Sequence, residues 1–139
     1  MTSRADKLGR MVSLMKLQLR LSEWQLAQLR QQEQSLQDEQ EWLVGALNGG
    51  KPPAGSSSES IARRLNRTSV GAREVQAQAA QQLDQVRAEN RRVKQLEEVA
   101  KVALADKLRD AETRVLEEIT GQSPAVRAWT PRPANRNKI

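Results

Sequence analysis

Few residues of this chain could carry acid–base or covalent chemistry. The sequence has 139 residues with no Cys and no His, so it lacks the thiolate and imidazole groups of most nucleophiles, bases and zinc sites. The two Glu-Glu pairs, Glu97-Glu98 and Glu117-Glu118, remain as candidate acids and bases. Adjacent residues of a helix point about 100° apart and form no concave pocket, so neither pair can enclose a substrate. We therefore expect no enzyme, no metal site and no cofactor.

One glycine-rich segment, Gly49-Gly50-Lys51, has the residue types of a phosphate-binding loop. It lacks the spacing and the following Ser or Thr of a Walker sequence. Gly, Pro and Ser are concentrated over residues 48–58, which are predicted to form a turn. Gly49 is placed to end a first helix, and Ser56 followed by Glu59 has the capping-box spacing that starts a second one.

The composition favours long helices over a globular core. Aromatic residues make up 2% of the chain, with no Phe and no Tyr, whereas a compact core of this size would draw on both. Ala, Leu, Gln, Glu and Arg dominate, as in long helices and coiled coils. No apolar run approaches the roughly 20 residues that span a bilayer, and no signal peptide is recognisable. We expect a cytoplasmic protein without membrane insertion.

Apolar residues recur three and four positions apart in two long segments. They predict helix one over about residues 4–47 and helix two over about 59–120. At about 1.5 Å per residue these helices would be about 65 Å and 90 Å long, so they must pair lengthwise. The fold class is therefore all-α, a long antiparallel two-helix coiled-coil hairpin in which facing residue numbers add up to about 106. Residues 121–139 are predicted to be a disordered basic tail.

The packed stripe can be assigned along each helix. In helix one it is expected to include Leu14, Leu17, Leu21 and Trp24, with Trp42 also in the core. In helix two the apolar positions advance by about 3.6 residues per step, which predicts little supercoiling. Residues 66–71 contain Thr, Ser and Gly, which are poor helix formers. Helix two is expected to kink there or to restart with Ser69 as its N-cap.

Charge is distributed unevenly along the predicted hairpin. Residues 21–47 hold one base and five acids and face arginines of helix two, so acid meets base near the turn. The other end is electropositive and needs a partner. The cations that we assign to partner binding are Arg4, Lys7, Arg10, Lys16, Arg20, Arg87, Arg91, Arg92, Lys94 and Lys101.

Apolar residues also continue where helix one has ended. In this register residues 103–120 of helix two have no opposite helix, and an unpartnered amphipathic helix is a docking surface. The residues that we assign to docking are Leu104, Leu108, Val115 and Ile119. Trp129, in the tail, has no helical stripe to join and is predicted to anchor to a partner.

A small basic chain with this layout resembles the FliJ family, the central-stalk proteins of the flagellar export ATPase, which have counterparts in type III secretion injectisomes. The resemblance covers about residues 5–120 and is best in residues 91–98 and 105–112. It implies that both chain ends insert into a hexameric ATPase ring. It also implies that the hairpin body contacts a membrane export gate and export chaperones, which would hold the protein peripherally at the inner face of the membrane.

Two other functions stay open. A self-associating coiled-coil scaffold would pair the end of helix two with its own copy. A nucleic-acid-binding helical protein would use the cations, although no aromatic residues interleave with them and no groove-entering motif is present. A stalk is expected to be monomeric, or to self-associate weakly, and to stimulate its ATPase. A scaffold should form a stable dimer or tetramer, and a nucleic-acid binder should lose affinity steeply with salt.

Overall fold

The computed structural model describes residues 2–49 and 55–122, and this part of the chain forms a two-helix hairpin. Helix α1 is Arg4–Asn48 and helix α2 is Ser58–Gln122, 45 and 65 residues long. The two helices pack against each other along their length, and the described residues include no strand, so the predicted all-α hairpin is confirmed. Each helix limit lies within about two residues of its expected position. Of the predicted basic tail, residues 121 and 122 belong to α2, and residues 123–139 lie outside the described residues.

Serine side chains cap the start of both helices. Ser3 is the N-cap of α1: its Oγ accepts from the Asp6 N–H at 3.2 Å, and the Asp6 carboxylate accepts from the Ser3 N–H at 3.3 Å. Before α2, the Ser60 N–H donates to Ser57 Oγ at 3.1 Å, and the Ser57 N–H donates to Ser60 Oγ at 3.2 Å. This reciprocal pair lies one residue further along the chain than the predicted capping box.

Gly49 ends α1 as its C-cap. Its backbone stays helical, with φ −87° and ψ −2°, and its N–H donates to the Gly45 carbonyl at 2.7 Å. A Cβ at position 49 would lie 2.9 Å from that oxygen, so the close approach favours glycine. The left-handed conformation belongs instead to Gly55, with φ 85°.

The line of contact between the helices, called the seam below, follows a heptad pattern. Its positions advance by alternating steps of three and four, an average of about 3.5, as in coiled coils. The seam residues of α1 are Ala5, Leu8, Val12, Met15, Leu19, Ser22, Leu26, Leu29, Glu33, Leu36, Gln40 and Leu43. Those of α2 are Ile61, Leu65, Thr68, Ala72, Val75, Ala79, Gln82, Val86, Glu89, Val93, Leu96, Ala100 and Ala103.

The step of about 3.6 residues predicted for α2 is therefore wrong. It arose because the sequence pattern was assigned to Leu83, Asn90 and Leu104, each of which directly follows a residue of the observed seam. The seam contains Gln82, Glu89 and Ala103, and the last of these is half-buried while its neighbour Leu104 is exposed.

Four of the large apolar side chains predicted for the core of α1 lie outside it. Leu14 is 66% exposed and Trp24 is 59% exposed, and Leu17 and Leu21 are only slightly less exposed than Trp24. Trp42 is also exposed, beside Arg64. The assignment of these residues to the core is wrong because α1 carries two apolar stripes. The longer one forms the seam although it includes a serine, and the shorter one faces away.

Helix α2 passes through residues 66–71 without interruption, so the predicted restart at Ser69 does not occur. The Ser69 hydroxyl accepts from Gln40 Nε2 at 2.9 Å. A Cβ added at Gly71 would lie 3.9 Å from Leu36 Cδ1. These small residues therefore lie against α1, where the packing offsets their poor helix propensity. Both contacts agree with the predicted register to within about three residues.

Candidate partner-binding surfaces

The turn half of the hairpin contains an ion pair between the helices. Arg64 Nη2 lies 2.7 Å from Glu39 Oε1, and Arg64 Nε donates to the same oxygen at 2.8 Å. The guanidinium also lies over the Trp42 ring, 5.9 Å from its centroid, within cation–π distance. An acid of α1 thus meets a base of α2 near the turn, as the charge pattern predicts.

The open end of the hairpin, where α1 begins and α2 ends, holds the predicted cations. All ten are exposed. Lys16 Nζ lies 3.2 Å from Glu97 Oε1, whereas none of the other nine forms an ion pair with another described residue. Nine cations therefore remain available to an anionic partner, and the Lys16–Glu97 pair is half-exposed and weak.

Next to these cations lies an exposed apolar surface that sequence reasoning assigned to the core. We call it the outer stripe, and it consists of Met11, Leu14, Leu17, Leu21 and Trp24. Residues 7–24 contain four cations and one acid, Glu23. These five large apolar side chains are 49% to 66% exposed along one helix, and an exposed apolar stripe of this kind favours an interaction site. The sequence indicates this surface by a second series of apolar residues, spaced three and four positions apart, beside the series that forms the seam.

At the open end, α1 reaches further along α2 than expected. Asp6 Oδ1 accepts from Lys107 Nζ at 3.1 Å, so residues 103–107 do have an opposite helix. Ser3 caps α1 at this level, and no described residue lies opposite α2 much beyond it. The unpartnered part of α2, called the overhang below, is therefore residues 108–121 and is shorter than predicted.

The seam stops for a reason that is visible in the sequence of α2. Beyond Ala103 the same alternating steps reach only charged residues, namely Lys107, Asp110, Arg114 and Glu117. The apolar residues take a different face, about a quarter turn away. They are Leu104, Leu108, Ala111, Val115 and Ile119, and the four large ones are 51% to 57% exposed. These residues therefore form a new apolar stripe and do not continue the seam.

The open half of the seam also contains a buried carboxylate. Glu89 is 8% exposed. Its Oε1 accepts from Gln85 Nε2 at 3.1 Å, while its Oε2 is buried without a hydrogen-bond partner among the described residues. An unsatisfied buried carboxylate oxygen lowers stability, so this half of the hairpin is held together less well than the seam alone suggests.

The two Glu-Glu pairs named from the sequence lie in different surroundings in the structure. Glu97 is bound to Lys16, and Glu117 and Glu118 lie on the exposed overhang. No group of three or more carboxylates within residues 2–49 and 55–122 could hold a metal ion. Lys51 of the glycine-rich segment and Trp129, the predicted anchor, lie outside the described residues.

Neither described helix contains a stretch that is long and apolar enough to cross a membrane.

The fold and these surfaces define a helical coiled-coil hairpin with an unsatisfied open end. No family model matches the chain, and comparisons with curated proteins and with solved structures find no match. The resemblance to the FliJ family therefore rests on the helix pattern and stays a prediction.

Proposed function

We propose that this protein is a non-catalytic coiled-coil stalk that binds and stimulates the hexameric ATPase of a flagellar or type III export apparatus. The observation that carries the proposal is the contrast in charge along the hairpin. Residues 21–75, around the turn, hold six bases and seven acids. The open end contains two ion pairs between the helices, Lys16–Glu97 and Asp6–Lys107, and in addition nine cations that form no ion pair with another described residue.

A rod of this kind suits the task mechanically. Two helices packed along about 65 Å are stiffer than either helix alone, and the seam runs without a break from the turn to Ala103. Cations at one end can bind acidic side chains that line a ring. The hairpin body then extends away from the ring and is free to contact the export gate and export chaperones, which would keep the protein in the cytoplasm beside the membrane.

The proposal is tested by charge reversal at the open end. We expect Arg10→Glu combined with Arg91→Glu to abolish most of the stimulation of ATP hydrolysis, since two attractive contacts become repulsive. The matched control is Arg67→Glu combined with Arg73→Glu, which changes the net charge equally near the turn. Both variants should keep the helical circular dichroism of the wild type. The proposal fails if the wild-type protein does not stimulate a secretion ATPase or if both variants lose stimulation equally.

A self-associating scaffold is the second candidate function. The specific observation in its favour is the overhang, a stretch of about four helical turns with an apolar face that no described residue covers.

A further inference from the structure

We propose that the overhang of one copy packs on the outer stripe of a second copy, so that two hairpins join at their open ends. Each copy carries both surfaces, and a twofold axis would let both contacts form at once. The inference depends on these two surfaces and not on the identity of the ATPase partner.

Three apolar residues of each surface match in spacing. Both surfaces cover 14 positions, residues 108–121 and residues 11–24, or about 20 Å of helix. Aligning Leu108 with Leu14 brings Ala111 to Leu17 and Val115 to Leu21, so apolar residues meet in successive turns. Such a three–four series on each helix is what coiled-coil packing requires.

The charges select this pairing over the two symmetric alternatives. Residues 7–24, around the outer stripe, contain four cations and one acid, Glu23. Residues 106–118, around the overhang, contain five acids and three bases. Two outer stripes facing each other would bring cations together, and two overhangs would bring an excess of acids together. The overhang on the outer stripe is the combination with opposite net charges.

The position of the surfaces permits a closed dimer. The overhang projects past the start of α1, and the outer stripe begins near the same end of the hairpin. When two open ends overlap about a twofold axis, each overhang lies alongside the partner's α1. One such contact is small, but forming it twice brings the buried area towards the roughly 800 Å² per partner of a stable dimer.

The test is the oligomeric state of the full chain, measured by sedimentation equilibrium over a wide concentration series. The wild type should be a weak dimer whose population rises with protein concentration, which agrees with the weak self-association expected of a stalk. Leu17→Glu in the outer stripe and Val115→Glu in the overhang should each weaken dimerisation by at least about tenfold, because a charge enters an apolar contact. The control is Val70→Glu, which changes an exposed apolar residue of α2 near the turn and should leave the dimer unchanged.

The same variants separate the three pairings. Pairing of two outer stripes predicts that Val115→Glu stays dimeric, and pairing of two overhangs predicts that Leu17→Glu stays dimeric. Either result overturns the proposal. Mixing Leu17→Glu with Val115→Glu should partly restore a dimer, since one intact overhang then meets one intact outer stripe.

Cross-linking tests the register directly. The chain has no cysteine, so single substitutions report one contact each. A Leu14→Cys copy mixed with a Leu108→Cys copy should form a disulfide-linked heterodimer on oxidation, and neither variant alone should link efficiently. A wild type that is monomeric at every concentration overturns the proposal. If that monomer sediments with vesicles of phosphatidylglycerol, the outer stripe binds an anionic lipid surface instead.

This inference and the proposed function fail separately. A monomer that still stimulates the ATPase contradicts only the dimer, and a dimer that stimulates no ATPase contradicts only the stalk. If both hold, the ATPase should dissociate the dimer, because both partners would use the same open end.

Discussion

The two halves of the hairpin differ in how far they satisfy their own side chains. In the turn half, Leu43 is 1% exposed and Ile61 is 4% exposed, and Arg64 pairs with Glu39 across the seam. In the open half the seam buries Ser22 and Glu89, while larger apolar residues of α1 lie on the outside. The turn half contains the most deeply buried seam residue, although Trp42 and Val70 are exposed there as well. The open half has the composition of a helix that packs on two sides but has only one partner in the described structure.

The comparison shows that a buried surface and an exposed interaction surface can have the same spacing of apolar residues along a helix. Both stripes of α1 have three–four spacing, and only the seam is covered. We therefore expect substitutions in the turn half to change stability. Substitutions on the outer surface of the open half should change association.

The largest expected effect is that of Leu43→Ala. Its side chain is the most completely buried in the described seam, so its loss should lower the free energy of unfolding by about 2–5 kcal/mol. Leu17→Ala on the outer stripe should change the same quantity by no more than about 0.5 kcal/mol at concentrations where the chain is monomeric. Urea unfolding followed by circular dichroism measures both. Equal losses would mean that the two halves are not packed as described.

An intermediate effect, of opposite sign, is expected at Glu89. Glu89→Leu removes a buried carboxylate with one unsatisfied oxygen and fills the seam, so it should stabilise the hairpin by about 1–2 kcal/mol. Glu89→Gln keeps the size and removes the charge, and its effect should be smaller. Thermal unfolding of the three proteins provides the comparison. A clear loss of stability in Glu89→Leu would indicate that the carboxylate has a partner in solution.

The smallest effect is the pH dependence of the open end. Hydrogen bonds from Ser3 and from Lys107 lower the pKa of the Asp6 carboxyl below its ordinary value. Its contribution to stability is therefore complete above the ordinary carboxyl pKa and is lost as the pH falls through the lowered one. Amide exchange at the start of α1 should become faster in that acidic range. Asp6→Asn should show less of this change, whereas exchange near Leu43 should be the same in both proteins.

Much of the fold could be predicted from the sequence because its signals are local. The cluster of Gly, Pro and Ser over residues 48–58 and the long apolar periodicity each identify an element without reference to distant residues. The charge pattern indicated the register near the turn, where Glu39 and Arg64 meet. Together these features predict two helices that are joined by one turn and packed antiparallel.

The choice of buried face could not be read in the same way. Side-chain size pointed to Leu14 and Trp24, whereas the buried series runs through Ser22 and Glu89. The two apolar series of α1 differ only in length. The longer one forms the seam because a stripe that continues to the turn can pack against α2 over its whole length. The overhang was predicted too long although the start of α1 at Arg4 was predicted correctly, because Asp6 contacts Lys107 and not a residue near position 100, where the predicted register placed it.

The antiparallel pairing also sets the order in which contacts can form. The hydrogen bond between Gln40 and Ser69 joins residues 29 apart in sequence, whereas the one between Asp6 and Lys107 joins residues 101 apart. Closing the shorter loop costs less chain entropy, so the helices should zip from the turn towards the open end. Residues around Leu43 and Ile61 would then form the folding nucleus, and mutations there should slow folding. The start of α1 should pair last and fray first.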